Sequence, residues 1–186
     1  MYQLRELCDT YFSFLYQLGY IMSDDNGSDT VIFQGMSNQI EIVFSKAEYE
    51  ITCMFLDNSN QCFSLQEGLN YAEIYQFRGL FQIADLTELE KSIAYLAEVV
   101  KVLYEEIDVS VECNFQKIYD SSRKVQKAEL ETYYLKNDLR KAENYWKQKE
   151  YAKARELFEK HLDQLSQRQL KQLEYIGKNR KMDLGG

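Results

Sequence analysis

Two neighbouring runs of this chain alternate between apolar and polar side chains with a period of two. In residues 39–45 every second side chain is apolar, and Glu41 lies between them. Residues 49–56 repeat the alternation, with Glu50 in the polar set. A period of two is typical of strands that bury one face, and short polar segments separate the runs. The two runs therefore predict adjacent antiparallel strands.

Strand-like segments continue on both sides of these runs. Residues 30–34 are short and β-branched, and residues 61–65 allow a fourth strand. The segments between them are rich in Gly, Asn, Ser and Asp, which is typical of hairpin turns. The pattern predicts an antiparallel β-meander of three or four strands over about 30–65.

Helical periodicity flanks the predicted meander. Apolar residues at helical spacing predict helices over residues 2–18 and about 88–107, and Thr87 with Glu90 forms a capping-box pattern at the start of the second helix. Residues 68–83 fit either a helix or an irregular loop. An antiparallel meander with helices on one face gives an α+β fold class.

The chain changes character after residue 108. Residues 1–110 hold 5 Lys/Arg and 18 Asp/Glu, whereas residues 111–186 hold 17 and 12. We predict an acidic α+β domain at 1–108 and a helical, net basic region at 109–186. Proline is absent from the chain, which is compatible with long uninterrupted helices. The apolar signal is thin over 121–132, which predicts an exposed helical arm.

Small and aromatic residues mark a helical hairpin at 135–163. The alanines allow two antiparallel helices to approach closely, and the aromatic rings fill the gaps beside them. The residues are Ala142, Tyr145, Tyr151, Ala154 and Phe158. The pattern resembles the turn and second helix of one tetratricopeptide repeat, a partner-binding module, although Lys149 stands where that repeat usually has a glycine. A single repeat favours a hairpin that packs through these residues over a binding groove. A true repeat, completed by a partner or a second copy, is the alternative.

No residue pattern typical of catalysis or of a bound cofactor is found. The four cysteines are scattered, His161 is the only histidine, and the glycines form no phosphate-binding loop. Asp24, Asp25 and Asp29 lack the terminal glutamate of a calcium loop. We therefore predict a non-enzymatic protein with no cofactor and no metal site.

The sequence also bears on where the protein resides. No window approaches the roughly 18 consecutive apolar residues of a membrane-spanning helix, and the first residues do not form a signal peptide. Scattered cysteines favour free thiols in a reducing compartment over disulfides. These observations predict a cytoplasmic protein that does not cross a membrane.

The layout of residues 1–107, a helix, a meander and a helix with a strongly acidic composition, resembles bacterial toxin-immunity proteins. The resemblance implies a protein partner, such as a basic toxin, which is inhibited by an acidic surface. We predict that this surface contains Asp24, Asp25, Asp29, Glu41 and Glu50. The alternative is a nucleic-acid-associated regulator or a scaffold that acts through the basic tail. It is less favoured because glutamates interrupt the tail's basic residues, and the tail would equally serve in a homodimer.

Overall fold

The structure is a computed structural model that describes residues 3–23, 29–77 and 88–183. The chain forms two compact units, residues 1–124 (unit 1) and 125–186 (unit 2). The α+β fold class is confirmed. The units divide at residue 124 and not at the predicted 108, because Val109, Phe115 and Ile118 are buried in the core of unit 1.

Five strands and seven helices account for the regular structure of the described residues. The helices are α1 (Gln3–Tyr11), α2 (Phe14–Gln17), α3 (Leu65–Tyr71), α4 (Leu89–Glu106), α5 (Glu112–Lys147), α6 (Tyr151–Lys160) and α7 (Gln167–Asp183). The strands are β1 (Ile21–Met22), β2 (Thr30–Gln34), β3 (Asn38–Ser45), β4 (Glu50–Asp57) and β5 (Cys62–Ser64). Helix α5 contains the division between the units. Within the predicted arm, residues 121–132, the chain is exposed from residue 123 onward except at Gln126, whereas Ser122 is buried.

The strands form one antiparallel sheet in the order β1-β2-β3-β4-β5, which is the predicted meander with an additional short strand at its start. The register places Ile32 opposite Glu41 and Glu41 opposite Met54. In β3 the residues alternate strictly between buried and half-buried. The period of two in the sequence therefore sets which face of the sheet is covered.

The covered face of the sheet meets helices. Buried residues of α1, α3, α4 and the start of α5 join the inward strand residues in one core. That core contains a polar network: Asn38 donates from Nδ2 to the carbonyl oxygen of Val109 at 2.6 Å and accepts from the Tyr20 hydroxyl, which lies 2.7 Å from the Tyr104 hydroxyl. Since buried polar groups are costly when unpaired, this network fixes the β2–β3 hairpin against the end of α4.

The predicted helix over 2–18 is interrupted. It ends at Tyr11 and resumes as α2 at Phe14. Phe12 lies between the two helices and is completely buried against Phe33, with the ring centroids 5.7 Å apart. Gly19, at φ +85, then ends α2, and the chain enters β1.

Of the ambiguous segment 68–83, the described residues 68–71 belong to helix α3. Helix α3 begins with a capping box, in which the Ser64 hydroxyl and the Glu67 carboxylate each bond the other residue's backbone N–H. The helix ends at Tyr71, turns follow to residue 77, and residues 78–87 lie outside the described part of the chain. The predicted capping box at Thr87 also lies outside the described residues.

Candidate partner-binding surface

The outward face of the sheet is a candidate interaction surface. Its side chains alternate with those of the core, and none of them belongs to the hydrophobic residues packed on that core. In the described part of unit 1 the helices contribute to the opposite, inward face. The apolar residues of the outward face are Ile21, Ile32, Val43, Met54 and Leu56, of which Ile21 is 71% exposed and the others are half-buried.

Glu41 lies at the centre of this outward face. Ile32 on β2 and Met54 on β4 stand directly opposite it, which places their Cβ atoms about 5 Å away. Gln39 and Val43 flank it along β3 on the same face. A carboxylate is thus held among apolar side chains on a half-buried surface. A partner that covered it without supplying a cation would leave a charge desolvated and unpaired.

The other predicted acids do not gather around Glu41. Glu50 lies opposite Ser45, four residues along the sheet, or roughly 13 Å at the rise of a strand. The Asp29 carboxylate forms an ion pair with Lys46, with Oδ1 and Nζ 2.5 Å apart. Asp24 and Asp25 lie outside the described residues. Of the five predicted acids, Glu41 and Glu50 share the outward face, at its centre and at one end.

Acidic residues on the helices of unit 1 were missing from the predicted surface. Residues 1–124 contain 20 Asp/Glu and 8 Lys/Arg. Exposed acids on α1 and α4 contribute to this excess, and they are Glu6, Asp9, Glu90, Glu98 and Glu105. The Tyr11 hydroxyl donates to Glu90 Oε1 at 2.8 Å, which raises the Tyr11 pKa. The spacing of Glu98 and Glu105, two helical turns apart, was a sequence signal for this acidic helical face.

In unit 2 the five hairpin residues lie together in one small core. Ala142 of α5 and Ala154 and Phe158 of α6 are fully buried, and Tyr145 and Tyr151 pack around them. The small side chains let α5 and α6 approach, and Ile176 of α7 completes the cluster. These residues pack the hairpin together.

His161 joins the helices of unit 2. Its Nε2 atom lies 3.0 Å from Asp138 Oδ2, which also accepts from Lys160 Nζ at 2.7 Å. These hydrogen bonds hold the pKa of Asp138 below its ordinary value. Among the described residues Asp138 is the only side chain bonded to His161, so no nucleophile accompanies the pair. The arrangement links α5 to the end of α6.

The remaining reactive groups of the described residues show no catalytic grouping. Burial raises the pKa of the Cys8 thiol to about 12 and raises that of Cys53 as well, so both are inert near neutrality. Cys62 is half-buried and Cys113 is exposed. Within the described ranges no three His, Cys, Asp or Glu side chains come close enough to hold a metal ion.

Comparison of the chain with protein-family models, curated proteins and solved structures gives no match. The described helices were also compared with the length and apolar composition of membrane-spanning helices. None of them combines the length and the apolar composition needed to cross a membrane.

Proposed function

We propose that the protein acts without catalysis, by binding a basic protein partner on the outward face of its sheet. The observation that carries this proposal is the position of Glu41, a half-buried carboxylate flanked by Ile32 and Met54 on the outward sheet face. The chemistry of the partner follows from it. The partner presents an apolar patch with an arginine or lysine near its centre, so that Glu41 is paired when water leaves.

The charge of unit 1 supports the same kind of partner. With 20 acids against 8 basic residues, residues 1–124 carry an excess of negative charge that favours the approach of a basic protein. Such a field raises association rates more than it raises final affinity. The apolar residues around Glu41 provide the affinity, at roughly 25 cal/mol for each Å² removed from water.

A more specific form of the proposal is inhibition of a basic toxin, as the resemblance of residues 1–107 to immunity proteins implies. An acidic protein that covers a basic active site blocks it without any chemistry of its own. Acidic helices lie on one side of the core, and the outward sheet face with its half-buried apolar residues lies on the other. This placement is compatible with the role.

The test compares two charge reversals of equal size. Glu41→Lys alters the outward face, whereas Glu98→Lys makes the same change on the exposed surface of α4. Each variant and the wild type are immobilised, exposed to a lysate of the native host at low and moderate salt, and analysed by mass spectrometry. Circular dichroism checks that both variants are folded.

We expect one basic protein to bind the wild type and Glu98→Lys but not Glu41→Lys, and the interaction to weaken as salt increases. The purified partner should then show the same order by calorimetry. Retention of the partner by Glu41→Lys would exclude the sheet face. The absence of any reproducible partner would refute the proposed function itself.

A further inference from the structure

Helix α5 carries a stripe of small and apolar side chains that is largely open to solvent. The stripe consists of Val125, Ala128, Thr132 and Leu135, which follow one another at spacings of three, four and three residues. Such spacing places them on one side of the helix, at the a and d positions of a heptad repeat. Val125 is 54% exposed, Ala128 and Thr132 are exposed, and Leu135 is half-buried.

The same side of α5 is buried further along the helix. Leu139, Ala142 and Trp146 continue the spacing and belong to the core that α5 forms with α6 and α7. A helix with an apolar side normally buries that side against another element. The stripe over residues 125–135 is therefore the open continuation of a side that is covered elsewhere.

We propose that a second copy of this chain covers the stripe, so that two α5 helices form a parallel coiled coil over residues 124–136. The residues at a are the β-branched Val125 and Thr132, whereas Ala128 and Leu135 occupy d. β-branched residues at a, together with leucine at d, favour two parallel helices. The proposal concerns α5 and does not depend on the function proposed for the sheet face.

The charges beside the stripe identify the second copy as the occupant. In a parallel coiled coil a residue at g faces the residue five positions later, at e, of the other helix. On α5 the g positions hold Lys124 and Glu131, and the matching e positions hold Glu129 and Lys136. Each g residue therefore meets an opposite charge, and symmetry doubles both contacts. All four side chains are exposed, and none of them forms an ion pair within the described residues.

An antiparallel pair of the same helices is less favourable. In that arrangement residues at e face e, and residues at g face g. The register that pairs Val125 with Leu135 and Ala128 with Thr132 would bring Glu129 opposite its own copy and Glu131 opposite its own copy. Facing like charges destabilise a helix pair, so the charge pattern of α5 favours the parallel arrangement.

Charge reversals test the pairing in the full chain. Sedimentation velocity at low salt, over a series of protein concentrations, measures the dissociation constant of the dimer. We expect Glu131→Lys and Lys136→Glu each to raise this constant about tenfold or more, because each creates two like-charge contacts. An equimolar mixture of the two variants should recover the wild-type affinity, since the heterodimer has opposite charges at both contacts. Glu156→Lys, on the exposed side of α6, should leave the constant unchanged.

Crosslinking provides a second measurement that also detects a weak dimer. In a Cys113→Ser background, which removes the exposed thiol, Ala128→Cys should form a disulfide between copies under mild oxidation. Opposing d positions of a parallel coil lie close enough for this bond. Leu130→Cys, on the other side of α5, should not form it.

Three results would overturn the proposal. The first is a wild type that remains monomeric at every concentration while Ala128→Cys crosslinks no faster than Leu130→Cys, which would leave the stripe to a helix of another protein. The second is weaker dimerisation of Lys136→Glu with none for Glu131→Lys, which would exclude the parallel pairing. The third is a mixture of the two charge-reversal variants that does not recover the wild-type affinity.

Discussion

The residue that joins α5 to α6 has an unfavourable backbone conformation, and this gives a sharp stability prediction. Lys149 has φ +63, in the left-handed region that favours glycine. The N–H of Glu150 bonds the carbonyl of Tyr145 at 2.9 Å, and the N–H of Lys149 bonds that of Trp146 at 3.1 Å. This pair of bonds is the Schellman motif, whose left-handed residue is most often glycine.

The expected change in the free energy of unfolding on Lys149→Gly follows from two opposing contributions. A non-glycine residue in the left-handed conformation costs roughly 1–2 kcal/mol. Glycine avoids that cost but loses more conformational freedom on folding, by roughly 0.5–1 kcal/mol. Lys149→Gly should therefore raise the free energy of unfolding by about 0.5–1 kcal/mol, even though it removes a whole side chain.

Urea denaturation followed by Trp146 fluorescence measures this gain within unit 2, where Trp146 lies three residues from the substitution. With a slope of about 2 kcal/mol per molar urea, the midpoint should rise by about 0.4 M. Lys149→Ala removes the same charge but keeps the backbone cost, so its midpoint should stay near that of the wild type. Glu156→Gly, in the exposed middle of α6, should lower the free energy of unfolding by about 0.5 kcal/mol.

Comparing Lys149→Gly with Lys149→Ala separates the effect of backbone conformation on stability from the effect of charge. If Lys149→Ala stabilised the protein as much as Lys149→Gly, relief of charge repulsion would be the cause. If Lys149→Gly gave no gain, the left-handed geometry at this turn would be refuted. Only a gain specific to glycine agrees with the structure.

Three further predictions concern the two cores. Asn38→Ala should lower the free energy of unfolding by about 1–3 kcal/mol in urea denaturation, because it removes the acceptor of the Tyr20 hydroxyl and the side-chain donor of the buried Val109 carbonyl, and a loss under about 0.5 kcal/mol would contradict the network. Ala154→Leu should lower the stability measured in thermal melts by about 1–3 kcal/mol, whereas Ala152→Leu on the exposed side of α6 should change stability little. Equal losses of stability for the two variants would exclude close packing at Ala154. In the native protein a thiol reagent should label Cys113 rapidly and Cys53 only after unfolding, as mass mapping would show; early labelling of Cys53 would disprove its burial.

The sheet was predictable because its signal is local. The alternation in 39–45 and 49–56 is sufficient to assign strands, faces and turns, and β3 has the predicted buried and half-buried order along its length. Strand β1 was not predictable, since two residues cannot show a period. It exists because Ile21 and Met22 pair with the end of β2.

Other features depend on contacts between distant residues. The packing of Phe12 on Phe33, at the break of the first helix, joins distant residues and is not revealed by local spacing. The start of α5 resembles the rest of that charged helix in sequence, yet Phe115 lies against Phe63 with ring centroids 4.9 Å apart and so belongs to unit 1. The predicted boundary at 108 followed the change in charge, whereas the structural division follows the core.

The candidate surface, too, combines features that the local sequence predicts with features that depend on contacts between distant residues. Charge counting identified the acidic half of the chain but could not place Glu41 between Ile32 and Met54, which requires the strand register. That placement separates two electrostatic effects. Acids on α1 and α4 lie on the far side of the core from the outward face, and at physiological salt charges more than about 8 Å away are largely screened. In the proposed interaction they would influence how fast a basic partner arrives. Glu41 would govern which partner remains bound, because this carboxylate loses its water among apolar side chains and must find a cation opposite it.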